Sequence, residues 1–145
     1  MGAKIHIHLH TGDLAKSREF YEAFLGGPPV KSEPGYLKFL PEFAPLNLAL
    51  SEIPGHRPAA GADHHFGIQL ESSAEVLAQL ARVKNSGLPV REEIGVNCCH
   101  ANQDKFWARD PDGVEWEIYH LNFDLEEPRG GPVTLQSSPA ECCAK

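Results

Sequence analysis

The chain has 145 residues, enough for one domain with a sizeable core, and its 41% hydrophobic and 23% charged residues are the proportions of a globular fold in water. A net charge of −7 without any basic run excludes a nucleic-acid surface; no apolar stretch approaches membrane-spanning length, and the opening "MGAKIHIH" lacks the apolar core of a signal peptide. The expectation is a cytoplasmic protein, in a compartment where cysteines stay reduced and serve metals, metalloids or chemistry rather than staples.

"AKIHIHLH" alternates strictly, with Ile5, Ile7 and Leu9 on one face and His6, His8 and His10 on the other. That period predicts a strand with an apolar side and an imidazole side. "GDLAKSREFYEAFLGG" predicts a helix capped by Asp13, with Leu14, Tyr21, Phe24 and Leu25 near one face and a glycine pair as its stop. "YLKFL" and "LNLALSE" read as two further strands.

"PGHRPAAGAD" is linker-like, and after it the pattern restarts. "HHFGIQLE" predicts a strand with Phe66, Ile68 and Leu70 opposite His65, Gly67 and Gln69; His64 faces away from His65. "SSAEVLAQLARVKNSG" predicts a helix with Ser72 and Glu75 in capping-box spacing and Gly87 as its stop. "LPVREEI" reads as a strand, and "KFWAR", the turn "DPDG" and "VEWEIYH" as a hairpin. "GPPV" after the first helix echoes "GLPV" after the second. The expected architecture is α+β: two tandem βαβββ modules, about 1–53 and 64–121, forming a curved mixed sheet around a metal site. The domain is expected over 1–125, with a flexible tail over 126–145.

In the last strand Glu115, Glu117 and Tyr119 share a face, while Val114, Trp116 and Ile118 take the core side. Glu117 would thus look to the same side as His6 and His65, which hold matching places in the two leading strands. Two imidazoles and one carboxylate leave coordination positions open, a composition that suits non-haem iron(II) and equally manganese, nickel, cobalt or zinc. A solvated Glu117 and surface histidines are the plainer alternative. His8 and His10 are weaker candidates that would line the cavity.

All four cysteines occur as neighbours, Cys98–Cys99 and Cys142–Cys143. Side chains of adjacent strand residues point to opposite faces, and a disulfide between neighbours is strained. Either the pairs are small buried hydrophobes or they bind a soft ion.

The strand followed by "TGDLAKSREFYEAFLG" and the close "DPDGVEWEIYH" resemble the vicinal oxygen chelate superfamily, which includes glyoxalase I, extradiol dioxygenases, and fosfomycin- and bleomycin-resistance proteins. The resemblance covers roughly residues 4–120, and the superfamily's metal positions fall on His6, His65 and Glu117. "EEIGVNCCHANQDKFWARDPDGVEWEIYH" is more specifically similar to organoarsenical carbon–arsenic lyases and cadmium-induced proteins, in which a vicinal Cys pair precedes an "xxxQDKxW" run. Members often carry Gln where this chain has His6. The resemblance implies that Cys98 and Cys99 hold a trivalent organoarsenical and that His6, His65 and Glu117 hold Fe(II), with O2 as co-substrate. His100 and Lys105 lie near the pair in sequence and would favour the thiolates, and Tyr119 is a further supporting candidate. Cys142 and Cys143 would be an accessory arsenic(III) site or an incidental pair. The alternatives are a non-catalytic cadmium- or arsenite-binding thiol protein, or another superfamily metalloenzyme such as a fosfomycin thiol transferase. Whether the site forms within one chain or across a homodimer is left open by the sequence.

Overall fold

The computed structural model describes residues 2–57, 64–98 and 101–124. Cys99, His100, Cys142, Cys143 and the expected tail over 126–145 lie outside the described residues. The elements run β1 (Ile5–Thr11), α1 (Leu14–Leu25), β2 (Lys31–Glu33), β3 (Tyr36–Phe39) and β4 (Leu46–Glu52). They continue as β5 (His65–Gln69), α2 (Ser73–Asn85), β6 (Arg91–Cys98), β7 (Ala101–Arg109) and β8 (Glu115–Asp124).

The repeat is exact at the level of topology. The strands form two four-stranded mixed sheets, ordered β1-β4-β3-β2 and β5-β8-β7-β6, the same permutation twice. In each, the first strand pairs in parallel with the fourth and the remaining pairs are antiparallel. The tandem βαβββ expectation therefore holds, as two sheets within the chain.

Local chemistry sets the helix ends. The Asp13 side chain accepts from the Lys16 backbone N–H, and Gly26 closes α1 in the left-handed region at φ 83°. Ser72 caps α2 by accepting from the Glu75 N–H at 3.2 Å, while the Glu75 carboxylate reaches back to the Glu71 N–H at 3.0 Å. Gly87, at φ 85°, is the stop.

One aromatic core crosses both modules. Phe24 and Tyr21 of α1 meet Trp116 of β8 at ring-centroid distances of 5.8 and 6.1 Å. The buried Tyr21 hydroxyl donates to Asp110 at 2.7 Å and accepts from Trp116 Nε1 at 3.1 Å. Burial, and then the Asp110 charge, push the Tyr21 hydroxyl well above its ordinary pKa. Asp112 of the "DPDG" turn also accepts from the Gly12 N–H at 2.9 Å. The turn therefore joins the second module to the first.

Three details depart from expectation. Ile5 is exposed, and Ile7 and Leu9 are only half-buried, because β1 is an edge strand. β2 has no counterpart in the sequence reading. β6 and β7 extend beyond the expected "LPVREEI" and "KFWAR": β6 runs to Cys98, whose backbone pairs with Ala101 at the start of β7.

Candidate metal centre and thiol hairpin

β5 and β8 are parallel neighbours with His65 beside Glu115 and Gly67 beside Glu117. This register puts His65 and Glu117 diagonally on one face. The His65 Nε2 lies 3.6 Å from Glu117 Oε1. That span is too long for a hydrogen bond, yet shorter than two metal–ligand bonds of about 2.1 Å placed end to end. One divalent ion can be bound by both atoms, so the donor pair fits the expected metal.

Gly67 makes the room. A Cβ there would lie 3.0 Å from Glu117 Oε1 and 3.0 Å from a Tyr119 ring carbon. A glycine inside a strand marks just such a close approach.

The face continues onto β7 and β6. Trp107 pairs with Glu117 and with Arg91; Lys105 pairs with Tyr119 and with Glu93. The Lys105 side chain is 1% exposed, and its Nζ lies 3.6 Å from Glu117 Oε2, 3.8 Å from Glu93 Oε2 and 3.3 Å from Gln103 Oε1. The Trp107 ring sits edge-on to His65 at 5.1 Å, under the Arg91 and Lys105 cations at 5.2 and 5.3 Å. Burial pushes the Glu117 carboxyl above its usual range, against the pull of Lys105 and His65. The Tyr119 hydroxyl is likewise raised by burial, and then by the Glu117 charge.

His6 stands in the other sheet. Its Nδ1 donates to the Asn47 carbonyl at 3.2 Å, which leaves the Nε2 lone pair as the free donor a metal requires. His8 Nε2 is 2.8 Å from Ser51 Oγ, and His10 packs edge-on against His56 at 5.9 Å. Among the described residues no three His, Cys, Asp or Glu side chains converge into a metal-binding group.

The module repeat explains why. Matching His6 with His65 matches Asn47 with Glu115, and two residues further Ala49 with Glu117. Each module supplies a histidine, but only the second supplies a carboxylate. Glu93, Trp107 and Gly67 were not among the residues expected from sequence, although a lone strand glycine was the available signal for Gly67. No described helix is long and apolar enough to cross a membrane.

Residues 5–118 match the family described as the Glyoxalase/Bleomycin resistance protein/Dioxygenase superfamily. The chain is 41% identical to the "Trivalent organoarsenical cleaving enzyme" of Bacillus sp. (strain MD1), over 96% of this chain and 89% of that one. It is 36% identical to the "Cadmium-induced protein CadI" of Mycobacterium bovis, over 97% and 93%. A glyoxalase/bleomycin resistance protein/dioxygenase crystal structure from Alicyclobacillus acidocaldarius superposes with a TM-score of 0.68 at 18% identity, covering 83% of this chain and 92% of that one. With the fold, the tandem modules and the sequence match in agreement, the chain belongs to the glyoxalase/bleomycin resistance/dioxygenase superfamily.

Proposed function

We propose that the chain is an Fe(II)- and O2-dependent carbon–arsenic lyase that converts trivalent organoarsenicals, methylarsenite or trivalent aromatic arsenicals, to arsenite and so confers arsenic resistance. One observation carries the reading. The sheet that brings His65 within 3.6 Å of Glu117 also carries Cys98 at the end of β6, in a chain 41% identical to a trivalent organoarsenical cleaving enzyme.

The two donor sets suit two different elements. Arsenic(III) is thiophilic, so Cys98 and Cys99 would hold the arsenical; imidazole and carboxylate suit Fe(II), so His6, His65 and Glu117 would hold the metal. When bound, Fe(II) supplies the capacity to activate dioxygen that an all-organic site lacks. The chain's own work is orientation. Glu117 offers Oε1 beside His65 Nε2 while Lys105 holds the other carboxylate oxygen, and Trp107 packs against the imidazole edge.

His6 would join this pair from a second copy. β1 and β5 are each the edge strand of a sheet, so β1 of one protomer can extend β5 of its partner and bring its His6 to that partner's His65 and Glu117.

The likeness to cadmium-induced proteins supports a second reading, a non-catalytic thiol protein that binds cadmium or arsenite. Anaerobic loading with Fe(II), followed by methylarsenite and air, separates the two by arsenic speciation. Arsenite formation that needs iron, oxygen and both Cys98 and Cys99 is the expected result. Stoichiometric binding with unchanged methylarsenite would leave only the second reading.

A further inference from the structure

The Glu117 carboxylate is divided between two neighbours of different kinds. Oε1 faces the His65 imidazole at 3.6 Å and Oε2 faces the Lys105 ammonium at 3.6 Å. Oε2 is buried with no hydrogen-bond partner, so the ion pair with Lys105 is what compensates it. Lys105 is itself fixed. Its stem is buried, its ammonium lies between Glu93 and Gln103 as well as Glu117, and the Trp107 ring closes one side. Gly67 leaves the space beside its Cα that the carboxylate occupies.

A carboxylate can bind a divalent ion through one oxygen or through both. The second mode would use one more coordination position and would pull Oε2 away from the buried ammonium. We propose that Lys105 is a positioning residue that restricts Glu117 to binding a divalent cation through Oε1 alone, and so keeps a coordination position open. This rests on the reading of His65 and Glu117 as metal ligands. It gives the buried lysine of the "QDKFW" run a task at the metal.

The role has a consequence that a merely structural lysine would not share. Lys105 is a positive charge close to the metal position, and it withholds one ligand oxygen. Removing it should therefore tighten cation binding while closing a position. Lys105→Met is expected to bind Co(II) or Mn(II) about 10-fold more tightly than wild type at pH 8, where unscreened like-charge repulsion in a buried site is worth at least that much. Its infrared difference spectrum should show a narrower separation of the Glu117 carboxylate stretches, and its Co(II) absorption should weaken as the coordination number rises.

The experiment measures metal affinity and the infrared spectrum of wild type, Lys105→Met and Glu117→Gln, the last to assign the Glu117 bands. A wild-type spectrum with the wide separation of one-oxygen binding, narrowed in Lys105→Met, is the expected result. A wild-type spectrum already showing two-oxygen binding overturns the proposal without any need for a folded Lys105 variant. Weaker binding in Lys105→Met with an unchanged carboxylate separation also overturns it and leaves Lys105 a structural residue. Metal binding that Glu117→Gln does not alter would instead remove the underlying metal assignment.

Discussion

Gly67 lacks a side chain because Glu117 occupies the space a Cβ would need, 3.0 Å from the carboxylate oxygen Oε1. Its backbone is not in the left-handed region, so alanine there meets crowding and no backbone strain. Gly67→Ala is expected to stay folded and to bind Mn(II) or Co(II) about 10–100-fold more weakly, as displaced ligand support usually does; titration of the metal-free protein checks it. The raised Glu117 carboxyl adds a pH signature. A carboxyl whose folded pKa lies above its unfolded value favours folding while protonated, and that contribution is lost as pH rises through the folded value. A divalent ion binds the ionised form, so the rise in melting temperature on adding Mn(II) should grow across the same window. In Glu117→Gln that part of the pH dependence should vanish. His65 and Glu117 were legible because strict alternation fixes their faces. Glu93 and Trp107 were not, since only the pairing of β6 with β7 brings them to that face.

Among the elements, α1 and α2 are joined at a helix end. Arg82 of α2 donates from Nη1 to the Ala23 carbonyl at 2.7 Å and from Nη2 to the Phe24 carbonyl at 2.6 Å, filling acceptors that the C-terminus of α1 leaves open. Charge-assisted bonds of this kind contribute about 1.5–3 kcal/mol each when made to neutral partners in a protected site. Arg82→Met should therefore destabilise the fold by about 2–3 kcal/mol in urea unfolding, less than the sum of two such bonds because both are only partly buried. Gly26→Ala should cost about 1 kcal/mol for its positive φ. The two losses should not add, because an added Cβ would already crowd Arg82 Nη1 at 3.0 Å. Both helices, with their caps, could be read from spacing and end residues. β2 could not: its three residues are all exposed, so it carries no hydrophobic period. The lengths of β6 and β7 were hidden for a related reason. The Asn, Gln and Asp residues of the hairpin look like turn formers, yet Asp104 uses its carboxylate to hold the bulge glycine Gly95 N–H at 2.7 Å, and Asn102 bonds the Gly95 carbonyl at 3.1 Å.

At the scale of the whole molecule, the repeat was readable but the way the sheets meet was not. Alternation places His6, His65 and Glu117 on polar faces, and pairing geometry alone does not say which face meets which. Within the chain the modules pack through their helices and the Trp116 cluster, which leaves β1 and β5 as edges of separate sheets. If two protomers join these edges about a twofold axis, each metal site takes His6 from one chain and His65 with Glu117 from the other. Two inactive variants then complement each other. His6→Ala and Glu117→Gln should each lack iron-dependent turnover alone. In a heterodimer, one site collects both lesions and the other is intact. Random pairing of equal amounts makes half the dimers mixed, and half of the sites in those are intact, so an unfolded and refolded mixture should recover about a quarter of wild-type turnover. Turnover and titrated Fe(II) content should rise together. No recovery from a mixture that sediments as dimers would place all three ligands of a site in a single chain and would overturn the cross-chain arrangement.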